Sequence, residues 1–261
     1  MALVASLLGV PAAYAQLSPP GLGPTKTASW TALGVRQALD AVGRRESVTY
    51  AGMGTISQPD GYNPFADPAI FVLNEEVYDR FHENWSYSVA LSYRRQYQYE
   101  DEAPFALADP AIQHELRLYG RISGAFEIAR LKLVNTLRPE IRSFFADGGP
   151  ASEALQFRFR LRSQATVRLD PEDTHRLVMS AEVLTTVAKE RAEGQTTRTW
   201  SSLDYSESRF CLYYSWNGEE PFSFDVGYMN DLMGRGASLA DAHYLAFDFV
   251  WKNPFGAPHR R

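Results

Sequence analysis

Alternation with a period of two residues constrains this chain more than any other feature. The clearest stretch is Gln156-Phe157-Arg158-Phe159-Arg160-Leu161-Arg162. In an extended strand successive side chains point to opposite faces, so Phe157, Phe159 and Leu161 share one face and Arg158, Arg160 and Arg162 share the other. Wound as a helix, the same residues would mix arginine and phenylalanine all round and leave no stripe to bury. The pattern recurs. Residues 112–121 set Leu116, Leu118 and Gly120 against Glu115, Arg117, Tyr119 and Arg121. Leu131 and Leu133 oppose Arg130 and Lys132, while Arg138, Glu140 and Arg142 fall together. Leu177, Met179, Ala181 and Val183 oppose Ser180 and Glu182; Phe210 and Leu212 oppose Arg209. Phe222, Phe224 and Val226 oppose Asp225, and Leu245, Phe247, Phe249 and Trp251 oppose Asp248.

This periodicity predicts ten strands, over 48–57, 70–81, 85–99, 112–122, 126–145, 153–169, 176–187, 205–216, 222–230 and 243–251. Residues 30–41 read either as a short amphipathic helix beginning after Ser29 or as an extended segment over 31–37. Short connections (82–84, 123–125, 170–174 and 217–221) alternate with longer ones (59–68, 100–111, 146–152, 188–204 and 231–242). The short set carries the Gly, Pro, Asp and Asn of tight turns. Strict short–long alternation fits an up-and-down barrel, in which short turns gather at one rim and long loops at the other. Greek-key links of a β-sandwich would break it. Membrane barrels of a single bacterial chain carry an even number of strands. The expectation is therefore an all-β, antiparallel up-and-down transmembrane β-barrel of ten or twelve strands, over 30–255, with a C-terminal tail at 256–261.

The first fifteen residues carry no charge, and 2–10 form an apolar run closed by Ala13-Tyr14-Ala15. That is the form of a secretory signal segment, 1–15, with Gln16 as the new start; the alternative is a short buried N-terminal segment. Residues 16–29, with Pro19-Pro20-Gly21 and Pro24, read as an extended leader. No apolar run reaches the roughly 18 residues of a membrane-crossing helix. The single cysteine, Cys211, excludes an internal disulfide framework. A net charge of -5 with interleaved signs gives no footprint of nucleic-acid binding.

Alternation alone does not say which face meets water. Aromatic residues at strand ends favour a lipid boundary: Trp85, Trp216 and Phe222 beside short turns, and Phe144, Phe145, Trp200 and Tyr205 beside long loops. On that reading lipid meets the apolar face and the charged faces line the interior. The candidate interior network is Glu115, Arg117, Arg121, Arg130, Lys132, Arg138, Glu140, Arg142, Arg158, Arg160, Arg162, Glu182, Glu207, Arg209, Asp225 and Asp248. It reads first as a structural filling that fixes register, and second as an anion-selective pore, since arginines outnumber acids from Arg117 to Arg162.

The succession His114-Glu115-Leu116-Arg117, Arg130-Leu131-Lys132-Leu133, Leu137-Arg138-Pro139-Glu140-Ile141-Arg142 and 157–162 is followed by Ser180-Ala181-Glu182, Glu207-Ser208-Arg209-Phe210 and Gly227-Tyr228-Met229. In that order, over roughly 30–251, it resembles a family of Gram-negative outer-membrane β-barrels of unknown function. The resemblance implies an outer-membrane location and supplies no activity. Many outer-membrane barrels end on an aromatic residue, whereas here Phe255 is followed by six more residues.

No metalloprotease, nucleophile-elbow or Walker-type motif is present. Gly52-Met53-Gly54 is only a fragment of a nucleotide-binding glycine motif. The five histidines lack the clustering of metal ligands. The sequence therefore points to no catalytic residue, metal or cofactor. The partners expected are outer-membrane lipid and the barrel-assembly machinery, with no nucleic acid and a monomeric state. The alternatives are an outer-membrane hydrolase with a rim site and a soluble periplasmic β-sandwich binding protein.

Overall fold

The computed structural model describes residues 19–100, 102–146, 153–191, 197–218 and 221–256. The expected signal segment, the first three leader residues and 257–261 of the tail lie outside the described residues. Twelve strands follow in order: β1 (Thr27–Ala38), β2 (Arg45–Ile56), β3 (Asp67–His82), β4 (Trp85–Tyr99), β5 (Leu107–Ile128) and β6 (Leu131–Ala146). Then come β7 (Glu153–Arg168), β8 (His175–Arg191), β9 (Arg198–Trp200), β10 (Asp204–Trp216), β11 (Phe222–Met233) and β12 (Ala240–Lys252). Among the described residues the only helical turn is Gly236–Ser238.

Each strand pairs with its chain neighbour, except that three-residue β9 hangs on the loop end of β8 while β10 takes up the main ladder beside it. β1 then pairs with β12 and closes the sheet into a barrel of eleven strands. A meander reverses direction at every turn, so an odd count leaves its first and last strands running the same way. The closing ladder, Thr27↔His243 to Arg36↔Lys252, is accordingly parallel. The barrel is mixed rather than purely antiparallel, and the expected ten or twelve strands become eleven. No sandwich forms.

The difference lies in β1, which is a strand and not a helix. Ala28, Trp30 and Ala32 are buried in the interior while Thr31 and Leu33 face out. The turn that follows β1 is built like the one between β7 and β8. In Leu39-Asp40-Ala41-Val42-Gly43-Arg44-Arg45 the Asp40 carboxylate accepts from the amides of Arg44 at 2.8 Å and Arg45 at 3.1 Å. In Leu169-Asp170-Pro171-Glu172-Asp173-Thr174-His175 the Asp170 carboxylate does the same with Thr174 at 3.0 Å and His175 at 2.7 Å. The fifth residue of each has positive φ, Gly43 at 66° and Asp173 at 59°. Glycine and, less readily, aspartate tolerate that conformation.

The turn expected at 123–125 does not form there. These residues continue β5, and the chain reverses at Ala129-Arg130. Gly124 is a close-approach position instead of a turn residue, because a Cβ there would lie 3.2 Å from the Trp85 ring.

Candidate functional site

Charged side chains are buried inside the barrel while large apolar ones stand exposed on its outer wall. Arg117 and Asp231 are 0% exposed, Arg209 1% and Glu140 2%, whereas Leu161 and Leu91 are 58% and 59% exposed. Buried charged side chains point into the barrel from β3 to β8 and from β10 to β12.

Their ion pairs form a continuous ladder. Glu115 accepts Arg117 Nε at 2.7 Å and both Nε and Nη2 of Arg142 at 2.8 Å. Glu140 contacts three guanidinium groups, Arg117 at 3.1 Å, Arg138 at 2.9 Å and Arg160 at 2.8 Å. Arg160 reaches on to Glu182 at 3.2 Å, and Glu182 to Arg209 at 3.7 Å. Arg209 is a second hub, touching Glu207 at 2.8 Å and Asp231 at 3.4 Å, while Arg158 joins Glu207 at 3.1 Å. The excess of arginine along β5–β7 is thus met by acids of β8, β10 and β11. Charges removed from water persist only when paired in this way.

Other expected members sit elsewhere. Arg121 faces inward on a separate pair with Glu76 at 3.0 Å. Lys132 meets Glu127 near the short-turn rim at 3.5 Å, and Arg162 donates to Ser180 Oγ at 3.3 Å. Arg130 is exposed in the β5–β6 turn and does not belong to the interior. Asp225 and Asp248 face one another across β11 and β12, and Asp248 accepts from Trp30 Nε1 at 3.1 Å.

Buried charged residues outside the expected set include Glu76, Asp231 and Arg94. Glu76 follows Glu75 in a strand where two consecutive acids blur the alternation. Asp231 lies beyond the strand end expected at residue 230, whereas β11 runs to Met233. Arg94 is paired in register with Glu115, but Arg94-Arg95 gave no facing signal.

The interior beside β1 and β12 is mostly apolar. Small residues Ala28, Ala32, Ala242 and Ala246 line β1 and β12, and Trp30 and Tyr244 fill the space they leave. The Trp30 ring fits against β2 because residue 52 is glycine; a Cβ there would come within 2.3 Å of it. The leader residues described enter this space from the long-loop end. Leu22 packs in the apolar cluster and its amide donates to Tyr244 Oη at 3.0 Å. The Pro19 carbonyl accepts from Arg209 at 3.4 Å. Gly21 sits so close that a Cβ would fall 2.6 Å from Arg209 Nη2. Residues 19–26 are therefore an internal plug seated on the Arg209 hub.

Outside, three histidines stack on tyrosines of adjacent strands and share a hydrogen bond with the hydroxyl. The pairs are His114–Tyr93 at 2.7 Å, His175–Tyr214 at 2.6 Å and His243–Tyr228 at 2.6 Å. Trp216 stacks on Phe224 and Phe222 on Phe249 beside the short turns; Phe157 stacks on Trp200 toward the long loops. Phe144, expected in the outer girdle, points inward, where the Arg142 guanidinium lies over its ring at 4.7 Å.

Comparison with protein-family models, curated proteins and solved structures finds no match to this chain.

Proposed function

We propose that this protein is an outer-membrane β-barrel whose interior is closed by its own side chains and leader, so that it is not a general porin. One observation carries the reading: an apolar outer wall surrounds a charged, buried interior. In water, a wall of outward Leu, Phe and Val far exceeds the few hundred Å² of apolar patch a soluble monomer exposes. In a bilayer the same wall meets hydrocarbon and the aromatic pairs at its two rims meet the head groups. The resemblance in motif order and the apolar 1–15 segment support the same location, with lipid and the assembly machinery as partners.

Fractionation of the native cell tests the reading. The protein is expected in the membrane pellet, released by detergent and not by salt or alkali; recovery in the soluble fraction would overturn it. Mass spectrometry of that material is expected to find Gln16 at the N-terminus, and an intact Met1 would reject the signal segment.

A further inference from the structure

The outer wall dips beside β2. Two cross-strand rows run side by side around the outside of the barrel. The first is Phe249–Leu33–Ala51–Leu73–Tyr93–Leu116 and the second is Trp251–Val35–Thr49–Glu75–Leu91–Leu118. In both rows β2 contributes the small residue, Ala51 or Thr49, between larger neighbours. The wall dips there into an open apolar groove with a volume of about 620 Å³. That size, with an apolar lining and one placed polar group, is what small-molecule sites share.

The polar group is the Glu75 carboxylate. Among the described residues its one hydrogen bond comes from the Thr49 hydroxyl, and it forms no ion pair. The nearest cation on the outer side of β2, Arg45, is already held by Asp79 at 2.7 Å. Thr49 lies four residues from the start of β2. At about 3.4 Å per residue and a tilt of about 40°, the carboxylate sits roughly 10 Å below the short-turn rim. A carboxylate facing lipid costs free energy, and ionisable groups in membrane segments mark binding or transport sites. The groove therefore lacks one thing, a cation attached to an apolar body.

We infer that this groove binds a lipid-like amphiphile whose head group is a protonated amine, the ammonium on Glu75 and the chain over Ala51, Leu33 and Leu73. The inference rests on the outer wall meeting lipid.

The test uses the full-length protein in phosphatidylcholine vesicles with a long-chain alkylamine bearing a mid-chain diazirine. The alcohol and carboxylic acid of the same chain length serve as controls. Photolabelling mapped by mass spectrometry is expected to concentrate on β1, β2 and β3 with the amine alone. Glu75→Gln keeps shape and removes charge, and should weaken saturable amine labelling by about tenfold or more, as loss of a charge-assisted hydrogen bond does. Ala51→Phe fills the groove, keeps the charge and should abolish labelling at Leu33 and Leu73. Equal labelling by all three probes, or no change in Glu75→Gln, overturns the inference. So does a dimer in native mass spectrometry that Ala51→Phe dissociates, since a second copy would then occupy the groove. Failure of the wild type itself to partition into vesicles would defeat the membrane reading, and this inference with it.

Discussion

Glu140 shows how much one side chain carries in such an interior. It is fully paired only because β5, β6 and β7 each aim an arginine at it. Removing one partner of a buried pair strands the other and costs about 3–5 kcal/mol. Glu140→Ala strands Arg138, takes one of two carboxylates from Arg117 and from Arg160, and is expected in that range in equilibrium unfolding from lipid vesicles. Glu140→Gln retains an acceptor and should lose less. Equal, small losses for both would mean the ladder fills space without holding it. Sequence alternation was enough to put Glu140 inside, since its neighbours on both sides, Pro139 and Ile141, take the outer face. It could not show that Glu140 is a hub. That property arises from register, Glu140 opposite Arg158 and Arg138 opposite Arg160, and from side chains reaching beyond their direct partners. Asp231 was hidden by the expected strand end at 230, and its role depends in turn on Arg209 of the neighbouring strand.

Strands were legible where each face had one chemistry. In β7 the register places Leu161 between Leu137 and Val183, all outward. Leu161→Arg is expected to destabilise the barrel by roughly 2–4 kcal/mol if that position lies near the midplane. Phe159→Leu, which keeps an apolar group on the same face, should be mild. Folding titration into lipid measures both, and tolerance of arginine at 161 would argue against a hydrocarbon environment. β1 was ambiguous for a physical reason. Its inward residues are apolar, Ala28, Trp30 and Ala32, and its outward ones are mixed, Thr31 and Leu33. Interior and exterior therefore gave no contrast. The charge alternation that marks β5–β8 depends on their facing the ionic sector, and β1 faces the apolar one. The missing strand, in turn, concealed the odd count and the parallel seam with β12.

At the scale of the molecule, the two sectors and the plug together decide whether anything passes. A barrel of about eight strands is just filled by its own side chains, and eleven leave more room. Here that room is taken on one side by the ion-pair ladder and on the other by Trp30 and Tyr244, with residues 19–26 bridging the two through Arg209 and Tyr244. Wild-type protein in planar bilayers is therefore expected to give little or no steady current. Opening should follow from either kind of filling being lost. Glu140→Ala loosens the ladder from within the wall. Deleting residues 19–26 removes the plug and its contacts with Arg209, leaves every ladder ion pair its two partners and leaves β1 to start at Thr27. If the plug is the last barrier, the deletion should raise conductance more than Glu140→Ala does, at a smaller cost in stability. A large, stable single-channel current from the wild type would defeat the closed reading and promote a pore. A silent deletion variant would assign closure to the ladder alone.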